Sequence, residues 1–185
     1  MSQSGKTAMG GMITALSVVV LMPTALELFV YALPAFAGML VMFSVIELDK
    51  KWAFGIYAAV SVLSLMLVPN KEAAILYAAF FGYYPVLKAI VESRLPKAAE
   101  YIVKFAVFNV SMIGAYAVLV KVLSMPFDEL MGTEGDTGFM ARYILPIMLF
   151  LGNITFALFD VALTRIVTVY LRVWQKKFRK LFPFK

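Results

Sequence analysis

The chain has 185 residues, 63% of them hydrophobic and only 15% charged, with a formal net charge of +6 and a mean hydropathy of +0.88. No soluble fold of this length covers so much apolar surface with so few charges, whereas a bilayer can act as its solvent. Cysteine and histidine are both absent, which excludes disulfides, Cys or His metal sites, a Ser-His-Asp triad and a cysteine nucleophile.

Six apolar stretches follow one another along the chain. A hydrocarbon core about 30 Å thick needs roughly 20 apolar residues per helix. Six crossings therefore use most of residues 1–185 and leave a single transmembrane domain. The first helix is predicted at about 7–22 and stops at Pro23. Its basic start and apolar run look like a signal peptide, but no small-residue cleavage site follows Met22, so it reads as a retained helix. A short segment carries Glu27 and Tyr31. The second helix, about 34–48, begins at Pro34, which suits a first helical turn. The third, about 52–68, stops at Pro69-Asn70. The fourth, about 72–91, is read as continuous with Pro85 inside it, and the proline frees a backbone carbonyl near mid-membrane. The fifth spans about 101–123. A polar, Gly-rich loop at 124–138 leads to the sixth, about 139–170, which continues toward Trp174 and a basic amphipathic tail at 171–185.

Lysine and arginine set the orientation. One side collects Lys6, Lys50, Lys51, Arg94, Lys97, Arg172 and the basic residues of the tail. The other has Lys71, with Lys121 and Arg142 near its helix ends, and the acids Asp128, Glu129, Glu134 and Asp136. The predicted fold class is thus an all-α polytopic membrane protein with six transmembrane helices and both termini cytoplasmic. The tail RVWQKKFRKLFPFK interleaves basic and aromatic residues, a pattern that an anionic inner leaflet attracts. It reads as a lipid anchor, with no nucleic-acid partner expected.

Polar groups at membrane depth are costly and face a bundle interior, a cavity or a partner. Lys88, Lys104, Asn109, Asn153 and Asp160 are the candidates. The fifth and sixth helices run in opposite directions, which puts Lys104 and Asp160 at comparable depth as a candidate buried ion pair, with Lys88 an alternative partner. Asp160 reads as a lone acid at mid-depth, which favours a structural pair over a proton or ion relay. Asn109 and Asn153 either bond to each other as interhelical glue or line a cavity.

Toward the outer side, Glu27, Tyr31, Asn70, Lys71, Glu72, Tyr77, Tyr116, Lys121 and Arg142 mix aromatics with both charge signs, which suits a small polar or amphipathic ligand. The substrate-binding candidates are Glu27, Tyr31, Asn70, Lys71, Tyr77, Asn109, Tyr116, Arg142 and Asn153. The alternative for each is an interfacial aromatic belt with solvated charges. On the first helix Thr7, Gly11 and Ala15 form a small-residue stripe that allows close helix approach, so Gly11 and Ala15 are candidate partner-docking positions. Gly5-Lys6-Thr7 lacks the preceding glycine of a phosphate loop. No nucleotide or metal motif occurs, and no cofactor is expected in this chain.

Size, helix number, inward termini and the stripe on the first helix resemble the substrate-binding S components of energy-coupling factor (ECF) transporters. The segment VPNKEAAILYAAFFGYYPVLK looks like stretches of bacterial membrane proteins of this broad type. The resemblance implies a non-enzymatic subunit in the bacterial cytoplasmic membrane that binds a vitamin-like small molecule. It also implies a T subunit and two ATPases as partners, with ATP used by those partners. On this reading Gly11 and Ala15 contact the T subunit, and Tyr77, Tyr116 and Arg142 fall in the outward pocket. No signature for one vitamin is present, and the His-rich start of the nickel and cobalt members is lacking. The competing reading is a cell-envelope scaffold similar to the rod-shape-determining membrane protein D, which predicts envelope partners and no small ligand. A lipid-acting membrane enzyme ranks last, since paired intramembrane acids, His and Cys are missing.

Overall fold

The computed structural model describes residues 3–27, 29–122, 124 and 139–175, and all regular structure among them is helical. The helices are α1 (Gln3–Leu21), α2 (Ala32–Glu47), α3 (Lys50–Leu67), α4 (Lys71–Leu76), α5 (Tyr84–Arg94), α6 (Lys97–Val122) and α7 (Phe139–Val169). A 3-10 segment, Met22–Leu26, extends α1; π-helical turns, Tyr77–Phe81 and Tyr170–Trp174, follow α4 and α7. Residues 125–138 and the tail beyond 175 lie outside the described residues, and with them Asp128, Glu129, Glu134, Asp136 and most of the expected lipid anchor.

Five helical stretches are long and apolar enough to cross a membrane: Gln3–Leu26, Lys50–Leu67, Lys71–Arg94, Lys97–Lys121 and Pro146–Val173. The protein is therefore read as membrane-embedded. α2 is also apolar but has only 16 residues, about 24 Å at 1.5 Å per residue.

Local chemistry sets the helix ends. Pro23 opens the 3-10 segment, and Glu27 closes it at φ 57° with its N–H donating to Thr24 O at 3.0 Å. Asp49 caps α3: its Oδ1 accepts the N–H groups of Lys51 and Trp52, both at 2.9 Å. That cap starts α3 at Lys50, two residues before the apolar run suggests. Leu95 is extended, as a residue before proline must be, and Pro96 separates α5 from α6.

The fourth crossing differs from the sequence reading. It is broken into α4, the π turn, the pair Gly82-Tyr83, and α5. Pro85 lies in the first turn of α5, where its missing N–H costs nothing. The extra π residue is accommodated by Gly82 N–H donating to Tyr77 O at 2.8 Å. Tyr57 Oη donates to Ala78 O at 2.8 Å and supports the loosened turn from α3. Pro85 has no hydrogen to offer the Phe81 carbonyl four residues back. Gly38 of α2 packs on that carbonyl so closely that a Cβ there would sit 2.3 Å from the oxygen.

α2 touches α1, α3, α4, α5, α7 and the first π turn, which makes it the hub of the bundle. The broken crossing is the most enclosed of the long spans, with 61% of its most apolar stretch buried against 22–33% for the other four. One core joins α1, α2 and α3 through Ile13, Leu21, Ala37, Val41, Ile56 and Val60. A second is aromatic: Phe80, Tyr84, Phe108, Phe156 and Phe159, with the Phe108 and Phe156 rings stacked at 4.7 Å. Large apolar side chains such as Met12, Phe54, Val110, Phe150 and Leu158 point outward, as expected where lipid replaces water.

Cross-chain contacts define two ends. Lys6 pairs with Asp49 at 3.5 Å, Lys50 donates to Ser93 Oγ, and Tyr170 and Gln175 donate to Glu47. The start of α1 and the end of the last helix therefore share one end, here called proximal. The 22–31 segment, the start of α4 and the end of α6 lie at the distal end.

Candidate functional site

Two polar constellations stand out, one toward each end. The first lies between α5, α6 and α7. Lys88 Nζ donates to Asp160 Oδ1 at 2.5 Å and contacts Glu92 Oε1 at 2.6 Å. Lys104 Nζ donates to Glu92 Oε1 and Glu100 Oε1, both at 2.7 Å, and to Asp160 Oδ2 at 3.3 Å. Tyr84 Oη donates to Asp160 Oδ1 at 2.5 Å. Both lysines are 1% exposed and Glu100 is 2% exposed, so these charges are desolvated. Removing such ions from water costs several kcal/mol each unless every donor and acceptor is matched.

The matching here is close to complete. An ammonium has three hydrogens, and each lysine finds three oxygens: Lys88 also reaches Asp160 O at 3.4 Å. Both ammonium groups are turned onto carboxylate and carbonyl oxygens of the cluster, which ties three helices together. Asp160 is not a lone acid, because Glu92 and Glu100 share its lysines. Both lie one helical turn from a lysine, as Lys88–Glu92 and Glu100–Lys104, and that i,i+4 spacing was the signal in the sequence.

About two turns before Asp160 on α7, the amides of Asn109 and Asn153 form a reciprocal pair, each Nδ2 donating to the other Oδ1 at 2.9 Å. Their remaining hydrogens go to Phe105 O at 2.8 Å and Leu149 O at 2.7 Å. Both amides are thereby committed to the α6–α7 contact.

The second constellation is at the distal end. Tyr31 Oη donates to Glu72 Oε1 at 3.0 Å and lies 3.3 Å from Tyr116 Oη. Residues far apart in the chain meet there: the segment before α2, the first turn of α4, and α6.

The other distal candidates do not join this group. Asn70 caps α4, its Oδ1 accepting Ala73 N–H at 2.9 Å. Lys71 caps α3, its ammonium donating to Leu65 O at 2.9 Å and Val68 O at 3.0 Å. Tyr77 is fully buried in the π turn, and its hydroxyl has no hydrogen-bond partner. Glu27 is exposed beyond the 3-10 segment. Arg142 lies on α7, and its side chain is outside the described part of the structure.

α1 buries Gly10, Ile13, Ser17, Val18 and Leu21 against α2 and α3. The stripe of Thr7, Gly11 and Ala15 is on the other side and exposed. A Cβ built at Gly11 meets nothing within 4 Å. An apolar groove of about 600 Å³ also runs outside α4 and α6, lined by Leu65, Ile75, Ala78, Ala79, Ser111 and Gly114 among others. Among the described residues no group of acids could hold a metal ion. Comparison with protein-family models, curated proteins and solved structures finds no match to this chain.

Proposed function

We propose that the protein is the substrate-binding integral membrane subunit of an ECF-type importer for a vitamin-like micronutrient, with six crossings of a bacterial cytoplasmic membrane and both termini in the cytoplasm. The orientation is supported by the proximal end, where Lys6, Lys50, Lys51, Arg94, Lys97 and Arg172 gather, consistent with the positive-inside rule.

One observation carries the importer reading: the small-residue face of α1 is left free of every other helix among the described residues. Without a hydrophobic driving force in lipid, helix association depends on close backbone approach, and an exposed Thr7–Gly11–Ala15 face offers it to a second protein. A T subunit driven by two ATPases is the partner this reading requires, with ATP used there and no chemistry in this chain.

A second reading, a cell-envelope scaffold similar to the rod-shape-determining membrane protein D, is favoured by a different observation. The intramembrane polar groups satisfy one another, as in the lysine–carboxylate cluster and the Asn109–Asn153 pair. Mass spectrometry of proteins retained by the tagged protein from its native membrane in mild detergent decides between them. A T-type subunit with two ATPases supports the importer; envelope-synthesis proteins without ATPases refute it and support the scaffold.

A further inference from the structure

The distal Tyr31–Glu72–Tyr116 group has a direction. Tyr31 has one hydroxyl hydrogen, and it points to Glu72 Oε1 at 3.0 Å. The 3.3 Å contact between the two phenols is therefore made by Tyr116 donating to Tyr31. Both hydrogens run toward the carboxylate and both are spent.

What the group still presents is acceptors only: the free lone pairs of the phenolic oxygens and the Oε2 atom of Glu72. It also presents the carboxylate of Glu72. Glu72 forms no salt bridge among the described residues. The neighbouring ammonium, Lys71, is turned back to cap α3. Glu72 and Tyr116 are half-buried and Tyr31 is 53% exposed, so the group opens at the distal end of the bundle. Exposed Glu27 adds a negative charge at the same end, and exposed Lys121 in the last turn of α6 a positive one.

A site that has acceptors, aromatic rings and a carboxylate, but no side-chain donor to give among the described residues, complements a cation bearing N–H groups. We propose that Tyr31, Glu72 and Tyr116 form a binding site for an organic ammonium group. The inference rests on the importer reading and deepens it by naming the substrate class. The same chemistry is offered by a free amine and by a phosphatidylethanolamine headgroup.

The test uses the purified full chain in an uncharged detergent and three probes of one shape: benzylammonium, benzyl alcohol and benzoate. Benzylammonium is expected to raise the melting temperature saturably, while the alcohol and the benzoate do not. Glu72→Gln is expected to weaken benzylammonium binding about tenfold or more, because a charge-assisted contact becomes a neutral one. Tyr116→Phe keeps the charge and is expected to weaken it by a smaller factor.

Equal shifts with benzylammonium and benzyl alcohol overturn the proposal, as does unchanged benzylammonium affinity in Glu72→Gln. If that variant does not fold, the wild-type probe series decides alone. Displacement of benzylammonium by short-chain phosphatidylethanolamine identifies a lipid headgroup as the occupant, and resistance to it identifies a free amine. Ammonium binding by a protein that retains no T subunit or ATPases keeps this site and removes the importer; the converse result removes only the site.

Discussion

Gly38→Ala adds one methyl group where α2 crosses the broken fourth span. The new Cβ would lie 2.3 Å from the Phe81 oxygen and 3.0 Å from its carbonyl carbon. Ordinary contact begins near 3.4 Å, so the two backbones must separate by about 1 Å. The obstacle is backbone and no side chain can rotate away. Ala37 and Val41, both fully buried beside Gly38, would be unpacked by the same movement. Overpacking of this kind costs about 1–3 kcal/mol, offset by the roughly 1 kcal/mol that alanine gains over glycine in a helix. A net loss of up to about 2 kcal/mol is expected, read by denaturant or thermal unfolding in detergent. Gly11→Ala is the matched control: its Cβ meets nothing within 4 Å, so only the propensity gain remains and stability should hold or rise. A Gly38→Ala protein whose stability changes by as much as that of Gly11→Ala refutes the reasoning, because the close crossing would then not exist.

Asp160→Asn replaces an acceptor of Tyr84, Lys88 and Lys104 by an amide. Lys88 retains Glu92 and Lys104 retains Glu92 and Glu100, so a loss of about 3 kcal/mol is expected, at the low end for a broken buried pair; transport lost with stability intact would indicate a relay instead. Asn109→Leu and Asn153→Leu should each destabilise while the double variant recovers part of the loss, with a coupling of about 1 kcal/mol in a double-mutant cycle; strict additivity would show that the amides do not pair. Asp49→Ala removes the α3 cap and should cost about 1 kcal/mol at neutral pH. The Trp52 N–H holds the Asp49 carboxyl below its ordinary value, with Lys6 adding to this. That stability is present above the unfolded carboxylate pKa of about 3.9 and is lost as pH falls through the lower folded value. Melting curves of the two proteins should therefore converge in acid, and a constant gap would remove the charged cap as the cause. Gly11→Leu should leave the melting temperature unchanged yet abolish recovery of the partner complex; full recovery would exclude this face from docking.

Much of the architecture was written locally. An apolar run of the right length must be helical in lipid, since nothing else satisfies its backbone, and so the all-helical class and the long spans are legible from composition alone. Pro23, Pro69 and Pro96 mark breaks because a missing N–H acts wherever the chain goes. Counting rise along antiparallel helices also puts Lys104 and Asp160 at one depth.

Depth is one coordinate, and rotation about each helix axis is the other. Rotation is set by packing between residues distant in sequence. Only the tertiary structure brought Glu92 and Glu100 around the lysines of Asp160, turned Asn109 and Asn153 toward each other, and spent Asn70 and Lys71 as caps. It placed the Phe81 carbonyl, freed by Pro85, against Gly38 of another helix. It joined Tyr31, Glu72 and Tyr116 across more than eighty residues of chain. The sequence by itself determined which segments are apolar enough to enter a bilayer, because transfer of a helix depends on its own side chains. The tertiary structure decided which polar groups are consumed and which stay available, because that depends on the neighbour each one meets.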